Sequence, residues 1–206
     1  MTSPSAFRYI PGWFSENEAI RLHKLVFKVP GDILEAGTFC GRATSCICEA
    51  IRGRARKFVS YDWATSNAEE FNALIAPQCA GGVPYIPPEL KELWQRGTNS
   101  YEQAKLYLRE AGLLSFVSLI KGDFRIDKSL YDILFLDVVH DEEEITANLP
   151  HALRMARTGA WLALHDMKPA LLAFIAKEYG SQLQFHTLTD SLALFTNNPV
   201  NRSGIK

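Results

Sequence analysis

Short apolar runs alternate along this chain with longer segments whose apolar residues recur every three or four positions, and that alternation leaves few folds open. Asp32–Ala36, Lys57–Tyr61, Phe116–Ile120, Tyr131–Leu136, Trp161–Leu164, Gln182–Leu188 and Leu192–Thr196 read as seven strands. The helical periodicity falls on residues 15–29, Ala43–Ile51, Tyr101–Ala111, Glu142–Met155 and Pro169–Tyr179. Strands that are apolar on both sides and separated by helices form a parallel sheet covered on both faces. The last two strands are joined only by Thr189-Asp190-Ser191, too short for a crossover, so they must pair antiparallel. The expected fold is an α/β three-layer sandwich, with a mostly parallel seven-stranded sheet and an antiparallel final pair.

Local signals fix the element ends. Ser15 and Glu18 have the spacing of a capping box, and Pro30-Gly31 ends the helix they start. Acidic residues crowd the first turn of Glu142–Met155, where they complement the helix dipole. Pro169 opens the following helix. Residues 64–100 hold Pro77, Gly81-Gly82, Pro84 and Pro87-Pro88, and read as an insert with one or two short helices, a lid or binding loop. Residues 1–30 are expected to form an N-terminal cover, and residues 31–206 the main domain carrying that insert.

Composition bounds the function. A chain of 206 residues suits one core, and 47% hydrophobic with 22% charged residues is ordinary for a globular protein. A formal net charge of −1 gives no basic excess of the kind nucleic-acid binders carry. No apolar run reaches the ~20 residues that span a bilayer, and MTSPSAFRYIPGWF does not read as a signal peptide. Cys40, Cys46, Cys48 and Cys79 lack metal or redox spacing and read as plain thiols of a reducing compartment. A cytoplasmic protein without a membrane or nucleic-acid partner is expected.

Polar residues gather just past the strand ends, at Gly37–Gly41, Asp62, Asp123, Asp137–His140 and His165-Asp166, the edge where open α/β sheets bind ligands. Glu35-Ala-Gly-Thr-Phe-Cys-Gly41 joins the first strand to its helix. Its glycines allow a backbone to approach a ligand at a helix N-terminus, although a tight turn alone would also account for them. Asp62 ends the next strand, 62 − 41 = 21 residues beyond Gly41, where an acidic side chain can accept both hydroxyls of a ribose. Loop and acid together point to an adenosine-bearing ligand.

The run Gly31–Thr44 with Ser60-Tyr-Asp-Trp63 resembles the first two motifs of class I S-adenosylmethionine (SAM)-dependent methyltransferases. Ile133–His140 and Gly159–Asp166 resemble the fourth and fifth strands of one branch, small-molecule O-methyltransferases with an aspartate-x-x-histidine motif and a histidine-aspartate pair. Some of that branch are metal-dependent sugar methyltransferases, and Ile10-Pro-Gly-Trp-Phe14 resembles its N-terminal cover. The resemblance spans about residues 10–196 apart from the insert, and implies a Rossmann-like fold. It implies that Gly37, Thr38, Phe39 and Gly41 line the methionine part of SAM, and that Glu35 anchors the loop or the methionine ammonium. Asp62 would hold the ribose, with Trp63 beside the adenine; Asp123 would accept from the adenine amino group, with Phe124 packed on the ring. Asp123 reads equally as a turn residue after a strand.

Asp137 and Asp166 end adjacent strands, so their carboxylates can converge on Mg²⁺, the candidate metal, with Asp137 also at the donor site. Such a metal would acidify an acceptor hydroxyl, and His140, with Asp137, would make the catalytic pair, His140 taking the proton. Helix capping is the plain alternative for Asp137. The branch often carries a second acidic residue where this chain has Val139.

Tyr101-Glu-Gln-Ala-Lys105 imitates the Y-x-x-x-K pair of short-chain dehydrogenases, but precedes the wrong strand, and Ala43 stands where their loop needs glycine. The expected activity is O-methylation of a small molecule, a sugar or natural product. The alternatives are a metal-independent N-methyltransferase, a SAM-binding protein without activity and, last, a dehydrogenase using NAD(P). Residues 1–30 and the insert, with Trp13, Phe14, Phe71, Tyr85 and Trp94, are expected to select the acceptor. Oligomeric state is not legible, a homodimer being the commonest choice.

Overall fold

The computed structural model describes residues 4–75 and 86–198. A short 3₁₀ turn at Ala6–Tyr9 leads into α1 (Glu16–Lys28), β1 (Ile33–Ala36), α2 (Arg42–Ile51) and β2 (Phe58–Asp62). Then come α3 (Ala68–Ile75), α4 (Pro88–Gln95), α5 (Ser100–Glu110), β3 (Ser118–Lys121) and β4 (Tyr131–Leu136). The chain ends with α6 (Glu142–Met155), β5 (Ala156–Leu164), α7 (Pro169–Tyr179), β6 (Leu183–Thr189) and β7 (Leu192–Asn197).

The seven strands lie in one sheet of order β3-β2-β1-β4-β5-β7-β6. All neighbouring pairs from β3 to β5 are parallel, and β7 runs antiparallel to both β5 and β6. The expected α/β sandwich with an antiparallel final pair is therefore the fold. Strand order reverses direction at β1, so a crevice opens above the carboxyl ends of β1 and β4, where such sheets hold ligands.

The helices stack on both faces because each strand offers apolar residues to both. One face carries Leu34, Leu134 and Leu162 against Leu149 of α6 and Ile175 of α7. The other carries Ile33, Ile133 and Phe135 against Leu22 and Val26 of α1 and Ile47 of α2. The N-terminal segment belongs to that second core, with Phe7 and Phe14 buried in it. Arg42 fastens it, donating to the carbonyls of Phe14 and Ile10, both at 2.7 Å. The capping box of Ser15 and Glu18 is formed.

β5 begins at Ala156 rather than Trp161, because the pairing with β4 starts at Tyr131–Ala156, slips, and resumes at Ile133–Trp161. A strand with such an irregularity near Gly159 (φ +76°) loses the clean alternation that periodicity detects. The insert contributes the two short helices α3 and α4, with Trp94 donating to the Thr65 carbonyl at 2.7 Å. Tyr85 and Cys79 lie outside the described residues. Cys40, Cys46 and Cys48 are buried free thiols. Among the described residues no helix is long and apolar enough to cross a membrane.

Candidate active site at the switch point

The turn after β1 is shaped by a close approach of backbone. Gly37 has φ +94°, and a Cβ there would stand 2.6 Å from the Asp137 carbonyl oxygen, so only glycine lets β1 end flush against β4. Phe39 also sits in the left-handed region, at φ +47°. That bend turns its N–H onto Asp62 Oδ2 at 2.8 Å, while Ala64 N–H and Ser100 Oγ reach Asp62 Oδ1 at 2.7 and 2.8 Å. Burial raises the Asp62 pKa, and those three donors oppose the rise. Gly41, the residue before α2, faces Ala104 and Leu108 of α5 instead of the crevice.

Glu35 lies under the turn, fully buried, where its Oε2 accepts from Thr44 Oγ1 and Ser60 Oγ at 2.7 and 2.5 Å. Burial pushes its carboxyl up to about 8, and Oε1 meets no hydrogen-bond donor among the described residues. Asp123 is gripped by the Arg125 guanidinium at 2.7–2.9 Å and caps a short 3₁₀ turn. Phe124, next to it, is buried and faces the crevice.

The other side of the crevice is charged. Asp137, His140 and Asp166 bring one ligand atom each within 4.8 Å of one another. His140 Nε2 stands 3.7 Å from Asp137 Oδ1 and 3.6 Å from Asp166 Oδ2, and its Nδ1 lies 2.6 Å from Glu144 Oε2. Burial disfavours the charged ring, but Asp137 and Glu144 outweigh it and push His140 up to about 11. Its proton is thus held through neutral pH until that negative surround is offset. His165 is buried between Phe14 and Phe135, with Nδ1 2.8 Å from Asp137 Oδ1. Burial would raise the Asp137 carboxyl, but the charge of His165, its hydrogen bond and the nearby His140 hold it well below the usual range. Two carboxylates and an imidazole set this close can converge on one divalent cation and leave positions open for other oxygens, so the donor set fits such an ion.

These side chains share one cavity of about 640 Å³. Gly37, Thr38, Phe39, Asp62, Trp63, Phe124 and Asp137 line it, as do His140, His165 and Asp166. Glu35, Gly41 and Asp123 do not form part of that lining. Trp13, Phe14 and Phe71 border it as well, with Trp13 packed on Phe39 at 5.2 Å between ring centroids. Tyr101 and Lys105 stand apart on α5: Tyr101 donates to the Leu119 carbonyl at 3.3 Å, and Lys105 Nζ lies over its ring.

Three residues that shape the site, Glu144, Ser100 and Arg42, are given no role by any motif in the sequence. Glu144 falls four residues after His140, an i, i+4 spacing that a scan for helix-face partners could have flagged. Ser100 and Arg42 carry no sequence signal, since their partners lie 38 and 28–32 residues away.

Residues 34–167, more than half of the chain, match the methyltransferase-domain family, and the chain belongs to it. It is accordingly an enzyme, a SAM-dependent methyltransferase, and the dehydrogenase alternative falls with that match. Solved structures share the fold at low identity. A SAM-dependent O-methyltransferase from Thermotoga maritima superposes with a TM-score of 0.63 at 13% identity, over 97% of this chain and 73% of its own. TomG, an O-methyltransferase of Streptomyces achromogenes involved in tomaymycin synthesis and solved with SAM, gives 0.56 at 17%, over 95% and 87%. A putative RNA methyltransferase from Pyrococcus horikoshii gives 0.60 at 13%, over 96% and 95%. No curated protein matches by sequence.

Proposed function

We propose that the enzyme methylates a hydroxyl of a small molecule, a sugar or natural product, with a divalent cation such as Mg²⁺ at Asp137 and Asp166 and with His140 beside it as the base. The observation that carries this is the meeting, in one cavity, of the glycine turn and Asp62 with that carboxylate–imidazole cluster. SAM supplies a methyl carbon already activated by its sulfonium. The residues of the turn, Gly37, Thr38 and Phe39, border the methionine end of the donor, and Asp62, Trp63 and Phe124 its nucleoside end. Glu35 and Gly41 support the turn from behind, and Asp123 with Arg125 holds the backbone beside the adenine.

What remains is to bring the acceptor oxygen in line and to remove its proton. A divalent cation would acidify the bound hydroxyl as a Lewis acid. His140, half-exposed to the cavity, is the group placed to take up a proton once the carboxylates around it are offset. Trp13 and Phe71 give the acceptor an apolar wall. A sugar ring or an aromatic natural product suits such a wall.

The test is calorimetric titration with SAM, with and without Mg²⁺, followed by a screen of hydroxylated acceptors for S-adenosylhomocysteine release. SAM binding that is lost in Asp62→Ala, and turnover lost on chelation and in Asp166→Asn, are expected. Turnover that survives chelation and transfers methyl to an amine would replace this reading with metal-independent N-methylation.

A further inference from the structure

Behind the cavity, a buried carboxylate on the N-terminal helix stands in line with Asp137. Glu18 of α1 is only 1% exposed, and His165 at the end of β5 only 2%. The imidazole lies between them, with Nδ1 2.8 Å from Asp137 Oδ1 and Nε2 3.5 Å from Glu18 Oε2. That Nε2 makes no hydrogen bond among the described residues, so Glu18 faces it across an ion-pair distance.

Glu18 is itself aimed from two directions. Its Oε1 accepts from the backbone N–H and the hydroxyl of Ser191, at 2.9 and 2.7 Å, and its Oε2 from Ser15 N–H at 2.7 Å. A capping box alone explains only the last of these bonds, and it works equally well on an exposed helix end. The Ser191 bonds, the complete burial and the alignment on His165 are left over. Burial favours the neutral acid, yet the nearby His165 imidazole and the Ser191 and Ser15 bonds bring Glu18 down to about 2. Burying a carboxylate is costly unless it is paired, so its placement here needs the imidazole, and the imidazole needs it.

We propose that Glu18 is a positioning residue for methyl transfer: through His165 it fixes the side chain of Asp137 at the floor of the cavity. His165 cannot pivot freely, because Phe14 and Phe135 pack on its ring at 5.2 and 6.3 Å between centroids. With Glu18 holding the far nitrogen, the near N–H is committed to Asp137 Oδ1. The same helix start carries Trp13 and Phe14 to the cavity wall. Seating of the N-terminal segment and orientation of Asp137 are thereby one event.

The part of this inference that concerns a cation rests on the metal reading above, and the experiment separates the two. Glu18→Gln is compared with Ser15→Ala, which removes the cap hydroxyl from the same helix turn and leaves the Glu18 carboxylate facing His165. Crystal structures read the His165 Nδ1 to Asp137 Oδ1 distance. Titration with Mn²⁺ alone, followed by electron paramagnetic resonance, reads the site to which Asp137 belongs. Glu18→Gln is expected to lengthen the distance beyond hydrogen-bond range and to weaken Mn²⁺ about tenfold, as loss of a ligand's outer partner does. Ser15→Ala is expected to change neither. An Asp137–His165 bond that survives intact in Glu18→Gln overturns the proposal. Failure of the wild-type protein to take up Mn²⁺ overturns the metal reading instead, and the distance then decides about Glu18. Should Glu18→Gln not fold, Ser191→Ala takes its place, with a smaller change in the same direction expected and an unchanged distance counting against the proposal.

Discussion

Gly37 and Glu35 show how much a single position on β1 controls. At Gly37 a methyl group would meet the Asp137 carbonyl at 2.6 Å in a backbone of φ +94°. Gly37→Ala should therefore destabilise the protein by about 1–3 kcal/mol in urea unfolding, and SAM binding should be lost in calorimetry. Glu35 makes a prediction in pH. Its pKa, raised from 4.5 to about 8, means that the folded state holds a proton which the unfolded state releases, so stability falls as pH rises across that range. Glu35→Gln should resemble the wild type at pH 5 and melt at a higher temperature than it at pH 9, as read by scanning calorimetry. An equal difference at both values would show that the buried carboxyl does not titrate there. The sequence made the glycine turn and the acids beside it legible, because each follows an apolar strand and topology sends all strand ends to one edge. Which way each side chain points was not legible: Gly41 and Asp123 have motif spacing, but their surroundings are α5 and Arg125.

The same alternation encodes the elements, most clearly where one period persists. Helix Glu142–Met155 has the bounds its spacing predicts, since Asp141 caps it and acids fill its first turn. β5 is longer than its apolar run because its slip against β4 disturbs the pattern. The docking of the N-terminal segment depends on a contact no period encodes, the Arg42 guanidinium between two carbonyls. Such charge-assisted bonds contribute about 1.5–3 kcal/mol each. Arg42→Ala should lower the urea midpoint and expose residues 8–14 to limited proteolysis before the sheet is cut. Arg42→Lys should rescue little, because a single ammonium cannot reproduce the planar fork. Rescue to wild-type protease resistance would show that the charge alone seats the segment.

For the whole molecule, the charged row behind the cavity sets a pH window. His165, raised from 6.5 to about 10 by Asp137 and Glu18 against the effect of burial, adds stability that is complete below pH 6.5 and is lost as pH rises through about 10. Glu18, lowered from 4.5 to about 2 by the nearby His165 and its bonds to Ser191 and Ser15 against the effect of burial, adds stability present above 4.5 and lost toward about 2. The melting temperature should peak between about 4.5 and 6.5 and fall on both sides. His165→Gln should flatten the alkaline fall, and an unaltered slope in that variant would place its origin elsewhere. The row also spans the chain, for Glu18 and Ser191 are 173 residues apart, and Ser15 reaches Asp190 at 2.6 Å. At a synthesis rate of about 5–20 residues per second, a ribosome takes roughly 9–35 s to cover that separation. Throughout that interval α1 has left the ribosome without its last partner, Ser191. The order of synthesis thus makes the β6–β7 turn, through Ser191, the last part to reach the row behind the cavity.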